Sequence, residues 1–203
     1  MLHHEISGNG KKPLVLLHGF MENTTIWNEM EAHLSKDFTL IKIDLPGHGK
    51  SKVYQEIHTV ELMAEKVKEV IDALKLEKIN LLGHSLGGYV SLAFAEKFPE
   101  ILESMTLFFS TTVADDEEKK AIRKRSIAVI DENFETFVKT SIPNLFSNNE
   151  KDILEGKIEL AKNIAKSTNK EGVKAALLGI AERPDRTEIL ENLDAKILII
   201  AGK

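Results

Sequence analysis

The sequence predicts an α/β fold built on a mostly parallel, doubly wound β-sheet. Short apolar runs of strand length alternate with helical patterns through the first 110 residues, which is typical of parallel strands joined by crossover helices. These runs are apolar almost throughout, as expected for strands that helices cover on both faces. With 203 residues, 42% of them hydrophobic, the chain is long enough to form one domain with a sizeable core.

Four strands are predicted in this part of the chain, and none shows the alternation of an antiparallel strand. They cover residues 14–17, 38–43, 79–82 and 105–109. Between residues 60 and 74, apolar side chains recur every three or four positions and charged ones fall on the other side, which predicts an amphipathic helix. Residues 26–34 and 86–98 are also predicted to be helical, and Pro99 ends the second of these helices.

The character of the sequence changes between residues 111 and 194, where charge is dense and no strand-like run occurs. A helical insertion is expected here. It begins with acidic residues followed by basic ones, the order that suits a helix macrodipole. A strand-like run returns at residues 196–201. The predicted organisation is therefore a core of residues 1–110 and 195–203, interrupted by a helical insertion at residues 111–194.

The composition argues against several classes of partner and chemistry. The 27 Lys and Arg against 32 Asp and Glu leave a net charge of -5, which gives no overall attraction to nucleic acid or to an anionic membrane. The absence of cysteine excludes disulfides, thiolate metal sites and a cysteine nucleophile. No targeting pattern follows Met1 and no apolar run approaches the ~20 residues of a membrane span, so a cytoplasmic location is expected.

No metal or other cofactor is expected either. His33, His48 and His58 share no metal-ligand spacing with carboxylates. Nothing in the sequence indicates an oligomeric state.

The sharpest motif follows the strand at residues 79–82 and reads Gly83-His84-Ser85-Leu86-Gly87-Gly88. A Gly-x-Ser-x-Gly run between a strand and a helix is typical of a nucleophile elbow, a tight turn that lifts the serine hydroxyl clear of the sheet. The serine backbone is strained there, and larger side chains two residues to either side would collide, which explains Gly83 and Gly87. Ser85 is the candidate nucleophile, and an inert glycine-rich turn is the alternative.

A second motif, His18-Gly19-Phe20, directly follows the strand at residues 14–17. Acyl transfer needs two backbone N–H donors aimed at the developing oxyanion, one after the nucleophile and one from a nearby loop. Leu86 and Phe20 are the candidates for these donors. For His18, stabilisation of the turn is favoured over the role of a base.

A third run, residues 44–51, is rich in turn-forming residues. It lacks the glycine and lysine spacing of the nucleotide-binding loops, so a structural turn is favoured over a phosphate site.

These motifs, each placed after a strand and in this order, resemble those of the α/β-hydrolase superfamily. The resemblance is to its small, lid-bearing bacterial members of the esterase, thioesterase and menaquinone-synthase-like kind. It covers about residues 14–202 and rests on four runs, namely residues 14–20, 44–51, 83–88 and 197–202. It implies Ser85 as the nucleophile, Phe20 and Leu86 as oxyanion-hole donors, residues 111–194 as a lid over an acyl pocket, and no cofactor.

One departure from the family pattern concerns the rest of the catalytic triad. In the family the acid usually follows the strand that corresponds to residues 196–201, and the base is a histidine in a later loop. Both positions would lie beyond Lys203, and none of the seven histidines stands where the family has its base. Some relatives take the acid from the loop after the strand at residues 105–109, which would nominate Asp115 or Asp116.

Because a serine hydroxyl needs an imidazole to accept its proton, the resemblance predicts impaired activity for this chain. It also predicts that the chain is a fragment lacking the last strand, its helix, and the acid and base of the triad.

Three functions are compatible with these motifs. The first is hydrolysis of a carboxylic ester or thioester, a small acyl substrate, through an acyl-enzyme on Ser85. The second is the lyase chemistry of the menaquinone-synthase-like relatives, with Arg123 and Arg125 as candidates for holding a dicarboxylate. The third is a binding protein that keeps the fold without catalysis.

Overall fold

In the computed structural model, which describes residues 1–202, six strands form one sheet with apolar clusters on both faces. The strands lie in the order β1-β3-β2-β4-β5-β6. Their bounds are β1 His4–Ser7, β2 Lys12–Leu17, β3 Phe38–Ile43, β4 Ile79–His84, β5 Leu102–Phe108 and β6 Lys196–Ile200. The predicted α/β fold with a mostly parallel sheet is confirmed.

The sheet is parallel except at one edge. β2 pairs in parallel with β3 and β4, and β5 pairs in parallel with β4 and β6. β1, which the sequence did not indicate, pairs antiparallel with β3, with His4 opposite Ile43. Its four residues are too few and too polar to show a strand pattern, and they form a strand because the edge of β3 offers unpaired backbone groups.

The parallel strands agree with the prediction in place and differ at their ends. β3 has the predicted bounds, and β2 begins two residues earlier, at Lys12, which pairs with Phe38. β4 continues to His84, opposite Phe108 of β5, and Phe109 falls outside the sheet. Pairing with a neighbouring strand therefore extends β2 and β4 into residues that the apolar runs do not include.

Alternate residues of β2 enter separate apolar clusters, which is why its sequence is apolar throughout. Leu14 and Leu16 pack with Trp27 on one face of the sheet. Val15 and Leu17 belong to the larger cluster on the other face, which includes side chains of the helices described next.

Three helices flank the strands before β5: α1 Asn28–Leu34, α2 Val60–Ala73 and α3 Leu86–Lys97. A short 3-10 turn, Thr24–Trp27, precedes α1. Helix α2 begins where the hydroxyl of Thr59 accepts a hydrogen bond from the backbone N–H of Leu62, at 3.1 Å. Helices α2 and α3 pack on each other, and α3 also packs on β4 and β5.

Between β5 and β6 the chain is helical and contains no strand, all of residues 111–194 being described. The helices are α4 Glu117–Ser141, α5 Glu155–Ser167, α6 Lys170–Glu182 and α7 Thr187–Asn192. Helix α4 is kinked at Asn133, where φ is -157° and ψ is 95°. The division of the chain into a core and an insertion at residues 110 and 195 stays a prediction.

Helix α6 is held against the core by close backbone contacts. Ala176 and Ile180 of α6 enter the main apolar cluster. A Cβ atom at Gly172 would lie 2.6 Å from the Cα atom of Gly47, and one at Gly179 would collide with the carbonyl group of His58. Glycine is therefore required at both helical positions for α6 to approach the loops that follow β3.

Strand β6 forms the second edge of the sheet in the described residues. Its apolar side chains are largely exposed, with Leu198 54% and Ile199 55% accessible. None of the helices in residues 1–202 has the length and apolar character of a membrane span.

Candidate active site

Ser85 lies on the turn between β4 and α3, in a strained backbone conformation. Its φ is 49° and its ψ is -109°, a combination that residues other than glycine rarely adopt. The surrounding chain holds this conformation: the Ser85 N–H donates to the carbonyl oxygen of Phe108 at 2.9 Å. The Ser85 carbonyl oxygen accepts from the N–H of Gly88 and from the hydroxyl of Ser110, both at 2.9 Å.

The two glycines of the motif occupy positions that have no room for a side chain. A Cβ atom at Gly83 would collide with the carbonyl group of Gly87, across the turn. A Cβ atom at Gly87 would collide with the carbonyl group of Leu17 and would lie 2.8 Å from the carbonyl oxygen of His18. The start of α3 is therefore in direct contact with the loop that follows β2.

His18 is a buried residue of that loop, and its ring makes two hydrogen bonds. Its Nε2 accepts from the N–H of Leu45 at 2.9 Å, so Nδ1 carries the proton and lies 2.7 Å from the carbonyl oxygen of Gly19. Burial lowers the pKa of His18, because the imidazolium would lose its hydration. Both nitrogens are thus occupied, and the ring joins the loop to residues 44–45 in the turn-stabilising role.

Phe20 and Leu86 stand on the two segments that meet here. Leu86 is the first residue of α3 and is fully buried. Phe20 packs against both the main core and a second apolar cluster, which connects the loop to the helical segment. Met21, next in the chain, has a left-handed φ of 58° and also belongs to the second cluster.

Glu22 joins the loop to the elbow, and no sequence pattern pointed to it. Its Oε2 atom accepts hydrogen bonds from the N–H of Gly19 at 2.6 Å and from Nδ1 of His84 at 2.9 Å. Both side chains of the Glu22 and His84 pair are 25% exposed. The sequence gives no signal for this contact, because it joins the loop after β2 to the end of β4, 62 residues away along the chain.

The turn-rich run after β3 is organised around the carboxylate of Asp44. Its oxygens accept from the N–H of Thr24 at 2.8 Å and from the N–H of Lys50 at 2.9 Å. Gly49 has a φ of 51° and leaves no room for a side chain against this carboxylate. The run is a structural turn, as the sequence favoured.

Asp115 and Asp116, the alternative acids, are engaged elsewhere. Asp115 is buried and forms ion pairs with Arg123 and Arg183, which lower the pKa of its carboxyl group although burial alone would raise it. Asp116 caps α4 by accepting from the N–H of Lys119 at 2.8 Å. The guanidinium of Arg123 is thereby neutralised, and Arg125 is exposed.

Within residues 1–202, no side chain is hydrogen-bonded to the hydroxyl of Ser85. In the same part of the chain, no group of three or more His, Asp and Glu side chains is placed to hold a metal ion.

The comparison with protein families agrees with this arrangement. Residues 12–152 match the family model described as the alpha/beta hydrolase fold. The chain belongs to the α/β hydrolase family. The matched residues include Ser85 and the loop after β2, and they end inside the helical segment.

Relatives of two kinds are similar over nearly the whole chain. A thermophilic esterase from Thermogutta terrifontis superposes with a TM-score of 0.93 at 34% identity, over 99% of this chain and 74% of that protein. A putative 2-succinyl-6-hydroxy-2,4-cyclohexadiene-1-carboxylate synthase of Bacillus subtilis is 29% identical over 96% of this chain and 74% of that protein.

An uncharacterized protein of Mycobacterium tuberculosis is 35% identical over 55% of this chain. The chain spans about a third of the length of the first curated relatives that it matches, 32% in this last case.

Proposed function

We propose that this α/β hydrolase is a serine hydrolase that cleaves a carboxylic ester or thioester through an acyl-enzyme on Ser85. The observation that carries the proposal is the backbone of Ser85, with a φ of 49° and a ψ of -109° between β4 and α3. Strain of about 1 to 3 kcal/mol persists only where the surroundings impose it, and such residues cluster at active sites. A turn of this kind presents the hydroxyl to an acyl carbon.

The oxyanion hole is assigned to the backbone N–H groups of Leu86 and Phe20. Leu86 is the first residue of α3, and the first N–H groups of a helix have no acceptor within the helix. Phe20 stands in the loop whose His18 carbonyl oxygen approaches Gly87, so the two segments are in contact. Donors fixed before the reaction stabilise the negative charge of the tetrahedral intermediate without reorganisation.

The binding site for the acyl group of the substrate is assigned to the second apolar cluster, which includes Met21 and packs against Phe20. Its buried members from the helical segment include Ile130, Val138 and Leu177. In this assignment residues 111–194 act as a lid, and the substrate is a small molecule with an apolar acyl part.

The triad acid and base are assigned to no residue of the described chain. The ring of His18 has both nitrogens occupied, and Asp115 is neutralised by two arginines. In the proposed reaction an imidazole base, which the described residues do not supply, takes the proton of Ser85 as the acyl–enzyme bond forms and returns it to the leaving alcohol or thiol. Water then releases the acid. Without this base, the oxyanion hole alone supports only a slow reaction.

A fluorophosphonate probe tests the nucleophile directly. The expected result is a covalent adduct on the peptide containing Ser85 in the unaltered chain, and the loss of this adduct in Ser85→Ala. Ser126→Ala, a change at a serine on the surface of α4, is the matched control and should label as the unaltered chain does. Failure to label Ser85, with imidazole supplied in the buffer, would favour the non-catalytic binding protein.

The lyase reaction is the second candidate, and it is favoured by the 29% identity to the Bacillus subtilis synthase over 96% of this chain. The pairing of Arg123 with Asp115 weakens it, because that guanidinium is not available to a dicarboxylate. Turnover of neutral short-chain aryl esters would support hydrolysis, whereas conversion of dicarboxylates alone would support the lyase.

A further inference from the structure

We infer that Glu22 and His84 are positioning residues that fix the N–H of Phe20 in the direction an oxyanion hole requires. This inference rests on the proposed function. It starts from one carboxylate oxygen, Oε2 of Glu22, which accepts from the N–H of Gly19 at 2.6 Å and from Nδ1 of His84 at 2.9 Å. A single atom thereby joins the loop after β2 to the residue that precedes the nucleophile.

The contacts around Gly19 determine where the N–H of Phe20 points. The carbonyl oxygen of Gly19 lies 2.7 Å from Nδ1 of His18 and accepts from the N–H of Glu22 at 3.3 Å. That carbonyl and the N–H of Phe20 belong to one planar trans peptide group, so fixing the first fixes the second in the opposite direction. The left-handed backbone of Met21 closes the turn in which the N–H of Glu22 reaches the carbonyl oxygen of Gly19.

The carboxylate of Glu22 holds the N–H of Gly19, whereas the contacts of the turn hold its carbonyl oxygen. Glycine has the widest choice of backbone conformations, and Gly19 is the residue immediately before the proposed donor. Its N–H is held by a hydrogen bond to a carboxylate, a charge-assisted contact that is about twice as strong as a neutral one. A Cβ atom at Gly19 would lie 2.7 Å from Oε2 of Glu22 and 2.9 Å from Nδ1 of His84, so the three residues are closely packed.

His84 places this anchor relative to Ser85. Its ring lies 5.5 Å from the ring of Phe108, whose carbonyl oxygen accepts from the N–H of Ser85. The hydrogen bond from His84 therefore holds the loop after β2 in a fixed position relative to the elbow. Neither side chain is assigned a proton transfer with the substrate, and their effect is exerted through Gly19 and Phe20.

The experiment compares Glu22→Ala and Glu22→Gln with the unaltered chain, with and without imidazole in the buffer. It measures kcat and KM for a neutral aryl ester, together with hydrogen exchange at the Gly19 amide. We expect Glu22→Ala to lower kcat about tenfold while KM changes less than about twofold, because a misaligned donor acts on the transition state. Gln keeps an acceptor oxygen, so Glu22→Gln should recover most of kcat. Exchange at Gly19 should be about tenfold faster in Glu22→Ala.

Two further variants keep the test decisive. Glu29→Ala makes the same change as Glu22→Ala at an exposed carboxylate of α1 and should leave kcat, KM and Gly19 exchange unchanged. If Glu22→Ala does not fold, His84→Phe removes the donor to Glu22 beside two phenylalanines, and should lower kcat about threefold at constant KM. An unchanged kcat in folded Glu22→Ala and in His84→Phe would overturn the inference.

The outcome is separable from that of the proposed function. An unaltered chain without Ser85-dependent turnover would refute the proposed function, and Gly19 exchange would then decide the positioning role by itself. Unchanged exchange in Glu22→Ala would overturn the anchoring of the loop, and faster exchange would support it.

Discussion

Asp115 and Arg183 form a buried ion pair, with Oδ1 of the first 2.9 Å from Nη2 of the second. The two side chains are only 2% and 4% exposed, so neither charge is hydrated if its partner is removed. Arg183 also donates to the carbonyl oxygen of Val113 at 3.0 Å. The pair therefore fastens the end of α6 to the segment that leads from β5 into α4.

Replacing Asp115 should destabilise the fold without touching the proposed nucleophile. We expect Asp115→Asn to lower the free energy of unfolding by about 3 kcal/mol, because it leaves a buried guanidinium without its counter-charge. The measurement is denaturant unfolding at neutral pH. Asp116→Asn is the matched control: asparagine caps helices about as well as aspartate, so a loss below about 0.5 kcal/mol is expected. Equal losses in the two variants would contradict the assignment.

The buried His48 should make the fold sensitive to mild acid. Burial lowers its pKa from 6.5 to about 3, so the unfolded chain binds a proton that the folded chain rejects between these values. The contribution of His48 to the free energy of unfolding is therefore greatest above pH 6.5. Below that pH it falls by about 1.4 kcal/mol per pH unit.

A variant that cannot titrate tests this explanation. His48→Asn keeps a donor for the carbonyl oxygen of Pro46, which lies 3.0 Å from Nδ1 of His48. The free energy of unfolding, measured from pH 7.5 to 5, should then fall less steeply below about pH 6, by about 1.4 kcal/mol per pH unit. The lowered pKa values of His18 and His58 leave part of the slope in place. A slope identical to that of the unaltered chain would show that His48 does not contribute.

The glycines of α6 should be intolerant of a single methyl group. Gly179→Ala places a Cβ atom against the carbonyl group of His58, and we expect a loss of about 3 kcal/mol because the helix must move away from the core. Gly156→Ala makes the same change in α5, where no atom lies within 4 Å of the new Cβ. It should stabilise the protein by about 0.5 kcal/mol through the lower flexibility of the unfolded chain. Thermal unfolding of the two variants gives the comparison, which fails if both respond alike.

Added imidazole should accelerate ester hydrolysis by the chain. Since no histidine of residues 1–202 bonds to the Ser85 hydroxyl, we expect free imidazole to act as the base and to raise the Ser85-dependent rate about tenfold. Ser85→Ala measures the reaction of imidazole with the ester itself, and this background is subtracted. A rate independent of imidazole, yet abolished in Ser85→Ala, would mean that another group already serves as the base.

The sequence predicted the central parallel strands because burial on both faces leaves a local, apolar signature, as in β2. It missed β1, whose existence depends on the free edge of β3 and not on its own polar residues. The glycines beside Ser85 were predictable because the elbow imposes their spacing. Glu22 was not, since its importance arises from contacts with Gly19 and His84 that only the fold creates. The same holds for Asp115, whose partners are Arg123 in α4 and Arg183 just after α6.

The close approach of Gly172 and Gly47 has a mechanical consequence. Backbone in contact with backbone has no flexible side chain between, so α6 follows the sheet as part of one rigid body. If residues 111–194 act as the proposed lid, its opening above Phe20 would therefore require α4 and α5 to move relative to α6. The kink at Asn133 and the junction at Thr168 are the places where the chain departs from helical geometry.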